Sequence, residues 1–228
     1  MKKGTETLTK ELRELTSLIE TKFQGFIKDA GPLKSVLDNL KKNEKDKSWR
    51  YEIKPLTFHC IDLGQGILPK LNVSDIQEKK LKLTLKLEAK DKNSDIPFDP
   101  IEKLNVNLKA TIKNKSGVEY LATWHLDKHT EEGNTPDFIH PSYHIQFGGR
   151  KLKADDSINT GNILVLSSPR LPHFPLDIIL AVDFVIKNFY KQEKHSILTN
   201  QKKYKKIIEK AQYRFWKPYA LAIASYWD

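Results

Sequence analysis

The chain predicts an α+β fold, an antiparallel four- to five-stranded sheet arranged as a meander and flanked by N-terminal and C-terminal helices. Three observations carry this expectation. Residues 6–29 repeat apolar side chains at helical spacing, LKLTLKL (81–87) alternates strictly, and LDIILAVDFVIKNFY (176–190) is apolar almost all round. With 228 residues, 39% of them hydrophobic and 10% aromatic, there is material for a real core. One domain over 1–228 is expected: N-terminal helices in 1–42, a β-rich core in 55–166 and C-terminal helices in 175–228.

In the first segment Leu8, Leu12, Leu15, Leu18, Ile19, Phe23, Phe26 and Ile27 fall on one stripe. Gly31-Pro32 is expected to break that helix, and Leu33, Val36, Leu37 and Leu40 to form a short second one. KKNEKDKSWR (41–50) is charged and loop-like, the best linker candidate in the chain. After 81–87, a second alternation (Leu104, Val106, Leu108, Ala110, Ile112) and a third (Tyr120, Ala122, Trp124, Leu126) flank Asn114-Lys115-Ser116-Gly117, which reads as a hairpin. YHIQF (143–147) supplies a further strand, and Gly148-Gly149 is read as a turn requiring positive φ. Pro169, Pro172 and Pro175 make the next segment extended and stiff. Pro175 is placed in the first turn of the buried helix, with Asp177 near its positive end. A last helix is expected over about 197–216, interrupted by Pro218.

The order of helix, antiparallel meander, proline-rich crossing and two helices resembles the ubiquitin-conjugating-enzyme architecture. Such enzymes need a cysteine after the meander, and none follows Cys60. The resemblance therefore implies a scaffold without conjugating activity, and no residue is carried over from it.

The start, MKKGTETLTKEL, has lysines but no apolar core, so no signal peptide is read, and no run is long enough for a membrane span. The expected location is cytoplasmic. A lone Cys60 excludes an internal disulfide, and beside His59 it is expected to be a buried, inert thiol. The formal charge is +10, yet only Arg13, Arg50, Arg150, Arg170 and Arg214 are arginines. A chain rich in Lys, Asn and Ile is what an AT-rich genome encodes, which leans towards a bacterial source. Most of the lysine is read as ordinary solvated surface.

Five of the seven histidines, His125, His129, His140, His144 and His173, fall between 125 and 173. Strand parity puts His125 and His144 on the faces away from their apolar neighbours. If the strands pair about Asn134-Thr135, the two imidazoles stand roughly opposite one another. The bland alternative is a polar, solvated outer face. The spacing matches no zinc motif, so no metal ligand and no cofactor is assigned. Asp127, Asp137, Asp155 and Asp156 supply carboxylates nearby, and no GxSxG elbow exists. Gly149, Arg150 and Lys151, with Gln146 and with Arg170 on the stiff crossing, form a candidate anion or partner surface. In 187–217 ten Lys or Arg face only Glu193 and Glu209. Lys202, Lys203, Lys205, Lys206 and Arg214 are the candidate phosphate contacts there.

Three functions are therefore expected in competition. The first is a non-catalytic binding or accessory subunit of a bacterial nucleic-acid-handling system, with a protein partner at the His/Arg surface and no membrane. The second is a small hydrolase or nuclease using His144 with His125 or His173 and a carboxylate. The third is the protein–protein scaffold just described.

Overall fold

A computed structural model describes residues 4–43, 47–62, 73–91, 98–128, 141–148 and 170–225. Among these residues it has five α-helices and one seven-stranded sheet. Helix α1 spans Gly4–Lys22 and α2 Gly31–Asn39. The strands are β1 (Lys41–Asn43), β2 (Ser48–His59), β3 (Ile76–Lys90), β4 (Ile101–Asn114), β5 (Glu119–Lys128), β6 (Tyr143–Phe147) and β7 (Leu171–Pro172). Helices α3 (Ile178–Phe189), α4 (Gln192–Thr199) and α5 (Lys202–Ala224) complete the chain. Strand order follows chain order and every neighbouring pair is antiparallel, so the sheet is a meander, as the alternation predicts.

The expected four or five strands become seven for identifiable reasons. In β2 the apolar residues Trp49, Tyr51 and Ile53 change phase to Leu56 and Phe58, because a bulge between Ile53 and Leu56 takes in Pro55. The bulge places a residue without an N–H where the ladder is already interrupted, and it erases the alternation from the sequence. The expected linker is no linker: Lys41, Lys42 and Asn43 pair with Arg50, Trp49 and Ser48 as the first rungs of the sheet. At the far edge β7 has two residues, one a proline, which leaves little for another strand to pair with.

One face of the sheet carries the core. Trp49, Tyr51, Leu85, Leu87, Val106, Leu126 and Tyr143 are buried beneath Leu8, Leu12, Leu15 and Ile19 of α1, the apolar α3, and Tyr204, Ile207, Ile208, Ala211 and Phe215 of α5. Gly31-Pro32 opens α2 rather than breaking α1, which has ended at Lys22; proline there gives up a donor that has no partner within the helix. Pro175 lies before α3 rather than in its first turn, and Asp177 caps the helix: its Oδ1 accepts a 2.9 Å bond from the amide of Leu180. α5 runs through Pro218 to Ala224, and residues 197–201, expected in that helix, belong to the separate α4 and the turn after it. Cys60 is exposed, not buried, and adopts φ 55° at the end of β2.

A buried ion triad ties the helices together. The Arg214 guanidinium of α5 donates to Glu11 of α1 and, at 3.4 Å, to Oδ2 of Asp177 at the head of α3. Burial raises the Glu11 carboxyl above its ordinary range and pushes Asp177 up to about 6, although Arg214 opposes both shifts. The hydroxyl of Tyr51 in β2 accepts from the amide of Ile178, so the same junction is pinned to the sheet.

Candidate functional site

The polar cluster on the sheet follows from parity. Trp124 and Leu126 of β5 turn towards the helices, where Trp124 packs edge-on against Phe189 of α3 at 5.2 Å. His125 and Asp127, the alternate residues, therefore share the other face. In β6 Tyr143 is fully buried on the helix side, its hydroxyl donating to Asp99 at 2.6 Å, so His144 and Gln146 join His125 and Asp127.

Register decides which of these meet. Asp127 stands opposite His144 and His125 opposite Gln146. The two histidines, expected roughly opposite one another, are diagonal neighbours, two residues from the directly opposite position along one strand. Their ring centroids are 6.3 Å apart with the planes at 82°. Nε2 of His125 is 3.7 Å from Oδ2 of Asp127. One donor atom from each of His125, Asp127 and His144 lies within 4.8 Å of the other two.

Two residues of β4 that sequence reasoning passed over support the cluster. Asn105 is opposite Asp127 and Asn107 opposite His125. The Asn107 amide donates to Oδ1 of Asn105, and the Asn105 amide donates to Oδ1 of Asp127. This chain orients one carboxylate oxygen and leaves Oδ2 towards the imidazole. Alternation of Asn105 and Asn107 with Leu104, Val106 and Leu108 is the signal that places them on this face. Nor is the region a solvated outer face: His144 is 5% exposed and Gln146 6%.

The other candidate residues separate. His173 lies on the helix side: its amide donates to the Tyr143 carbonyl at 3.1 Å and its ring packs edge-on against Phe184 at 5.5 Å. It does not join His125 and His144. Arg170 immediately precedes the β7 rungs Leu171–Ile145 and Pro172–His144, and its Nη1 is buried without a hydrogen-bond partner among the described residues. Gly148 has the positive φ expected, 76°, while Arg150, Lys151, His129, His140 and Asp155-Asp156 lie outside the described residues.

On α5 the sequence divides into an inner and an outer side. Tyr204, Ile207, Ile208, Ala211 and Phe215 are buried, and Lys202, Lys203, Lys205 and Lys206 are all exposed. Arg214 is turned inward to the ion triad, 13% exposed, and is not available as a surface contact. The four lysines crowd the positive end of the helix dipole. The first turn has no acidic residue, and Gln201 makes no side-chain cap. Farther along, Tyr213 is 66% exposed with Lys217 Nζ 4.4 Å above its ring. The far face of the sheet adds a like-charge rung unforeseen from sequence, Lys82 directly opposite Lys109.

No family model, curated protein or solved structure matches this chain. The resemblance in element order to ubiquitin-conjugating enzymes thus has no support from comparison. Among the described residues no helix is long and apolar enough to cross a membrane.

Proposed function

We propose that this protein is a non-catalytic nucleic-acid-binding or accessory subunit whose α5 surface contacts phosphate. The observation that carries the reading is the placement of Lys202, Lys203, Lys205 and Lys206. Lys202 and Lys203, in the first turn, work against the dipole, each at a cost of about 0.3–1 kcal/mol, and Lys205 and Lys206 add to the positive potential there. An arrangement that destabilises its own helix while raising local positive potential is suited to an anionic partner that compensates both effects. Exposed Tyr213, farther down the same helix, offers a ring for base stacking. Contacts of this kind position a backbone and carry no sequence readout, so generic DNA or RNA is the expected ligand. The sheet end at Arg170 is the surface for a protein partner or ligand.

Charge reversal tests it. Lys202→Glu, Lys203→Glu, Lys205→Glu and Lys206→Glu combined are expected to weaken binding to a labelled generic duplex or single strand at low salt on the order of 100-fold. Unchanged affinity of the folded variant would remove α5 from the interface.

A second reading, a small hydrolase, is favoured by one observation: the fold brings His144 to His125 and a carboxylate, Asp127, though not to His173. On that reading His144→Ala abolishes turnover with the melting temperature nearly unchanged.

A further inference from the structure

We infer that His125, Asp127 and His144 form a binding site for one divalent transition-metal ion of the zinc class. His125 and Asp127 are separated by one residue on β5, which puts both on one face of the strand. The register then sets His144 of β6 straight across from Asp127. The three donor atoms already lie within 4.8 Å of one another. Ligands held at about 2.0–2.2 Å in a tetrahedral site stand roughly 3.3–3.6 Å apart, a closure that side-chain rotation supplies with both strands left in place.

The donor chemistry is selective. Two imidazoles and one carboxylate suit zinc, cobalt, nickel or iron(II) and not magnesium or calcium, which take oxygen donors. The surroundings are those of a built site. Asn105 fixes Oδ1 of Asp127 and is itself fixed by Asn107, so the carboxylate presents Oδ2 to His125 before any ion arrives. His125 and Asp127 keep side-chain exposures of 16% and 31%, which leaves a route for the ion, while His144 forms the buried wall.

This site stands on a different surface from the α5 lysines and is independent of nucleic-acid binding. It would supply the ion for the hydrolytic reading but does not require turnover. The experiment therefore reads metal alone. Purified protein stripped with chelator is titrated with Zn(II) by calorimetry and with Co(II) by visible absorption. One equivalent is expected to bind, with Co(II) giving the intense d–d bands of a low-symmetry nitrogen/oxygen site. His144→Ala and the near-isosteric Asp127→Asn are expected to lower affinity by more than about 100-fold, Asn105→Ala by about 10–100-fold as a positioning residue, and His173→Ala not at all. Circular dichroism of each stripped variant establishes that it is folded, and Asp127→Asn serves if His144→Ala is not. Failure of the wild type to bind either ion, or wild-type affinity in folded Asp127→Asn, would overturn the inference.

Discussion

His125 and His144 meet on the diagonal, two residue pairs apart along the ladder, with ring planes nearly perpendicular at 82° and centroids 6.3 Å apart. Directly opposed imidazoles would face each other and leave the carboxylate to one side. The diagonal places Asp127 in the corner between them, next to His125 along one strand and across from His144 on the other. A three-residue cluster follows from a shift of two residues in register.

Arg214 makes an ion pair with each of two buried carboxylates, Glu11 and Asp177. Arg214→Ala is expected to cost about 3–5 kcal/mol, because the deletion leaves buried acids without their cation. Chemical denaturation checks this. A loss below about 1 kcal/mol would show that the triad is not structural.

Asp177 provides a pH signature. Its folded value of about 6 lies above that of an unfolded aspartate, so the folded state holds its proton more tightly. The resulting stabilisation is complete below about pH 4 and is lost as pH rises through about 6. Asp177→Asn keeps an N-cap acceptor and removes the titration. The stability of wild type relative to this variant is expected to fall between about pH 4 and 6, measured by denaturant midpoints across that range. A flat difference would contradict the assigned environment.

The lysines at the head of α5 predict opposite effects on stability and binding. Lys202→Glu and Lys203→Glu each replace a cation by an anion at the positive end of the dipole. Each is expected to raise stability by about 0.3–1 kcal/mol while weakening nucleic-acid binding. Thermal melts and binding on the same samples separate the outcomes. Higher stability with unaltered binding would reduce these lysines to ordinary surface.

Much of the architecture was legible because its residues obey simple periods. The strict alternations at 81–87 and 104–112 and the apolar run of α3 became the elements they predict. The stripe of residues 6–29 became α1 only as far as Lys22, with Phe23 and Ile27 buried beyond its end and Phe26 packed against the core. What escaped was set by irregularity or distance. Pro55 and its bulge hid β2, and Lys41–Asn43 form a strand only because a neighbour offers rungs. Cys60 was expected inside, but a strand-ending positive φ turns it out. Parity alone placed His125 and His144 on one face. It could not give the register that adds Asp127, nor show that Asn105 on the preceding strand, 22 residues earlier in the chain, would orient it. Arg214 carried the same charge as its lysine neighbours, and only helix packing shows that it faces Glu11 and Asp177.

The salt dependence of nucleic-acid binding is the decisive measurement for the α5 surface. Affinity for a generic duplex is measured from low to moderate salt for wild type and for a variant with Lys202, Lys203, Lys205 and Lys206 changed to glutamine. Each phosphate contact contributes about 0.9 to the slope of log affinity against log salt, so the variant's slope should be shallower by roughly 3 to 4. Parallel slopes, or no binding by wild type at low salt, would contradict phosphate recognition by this helix.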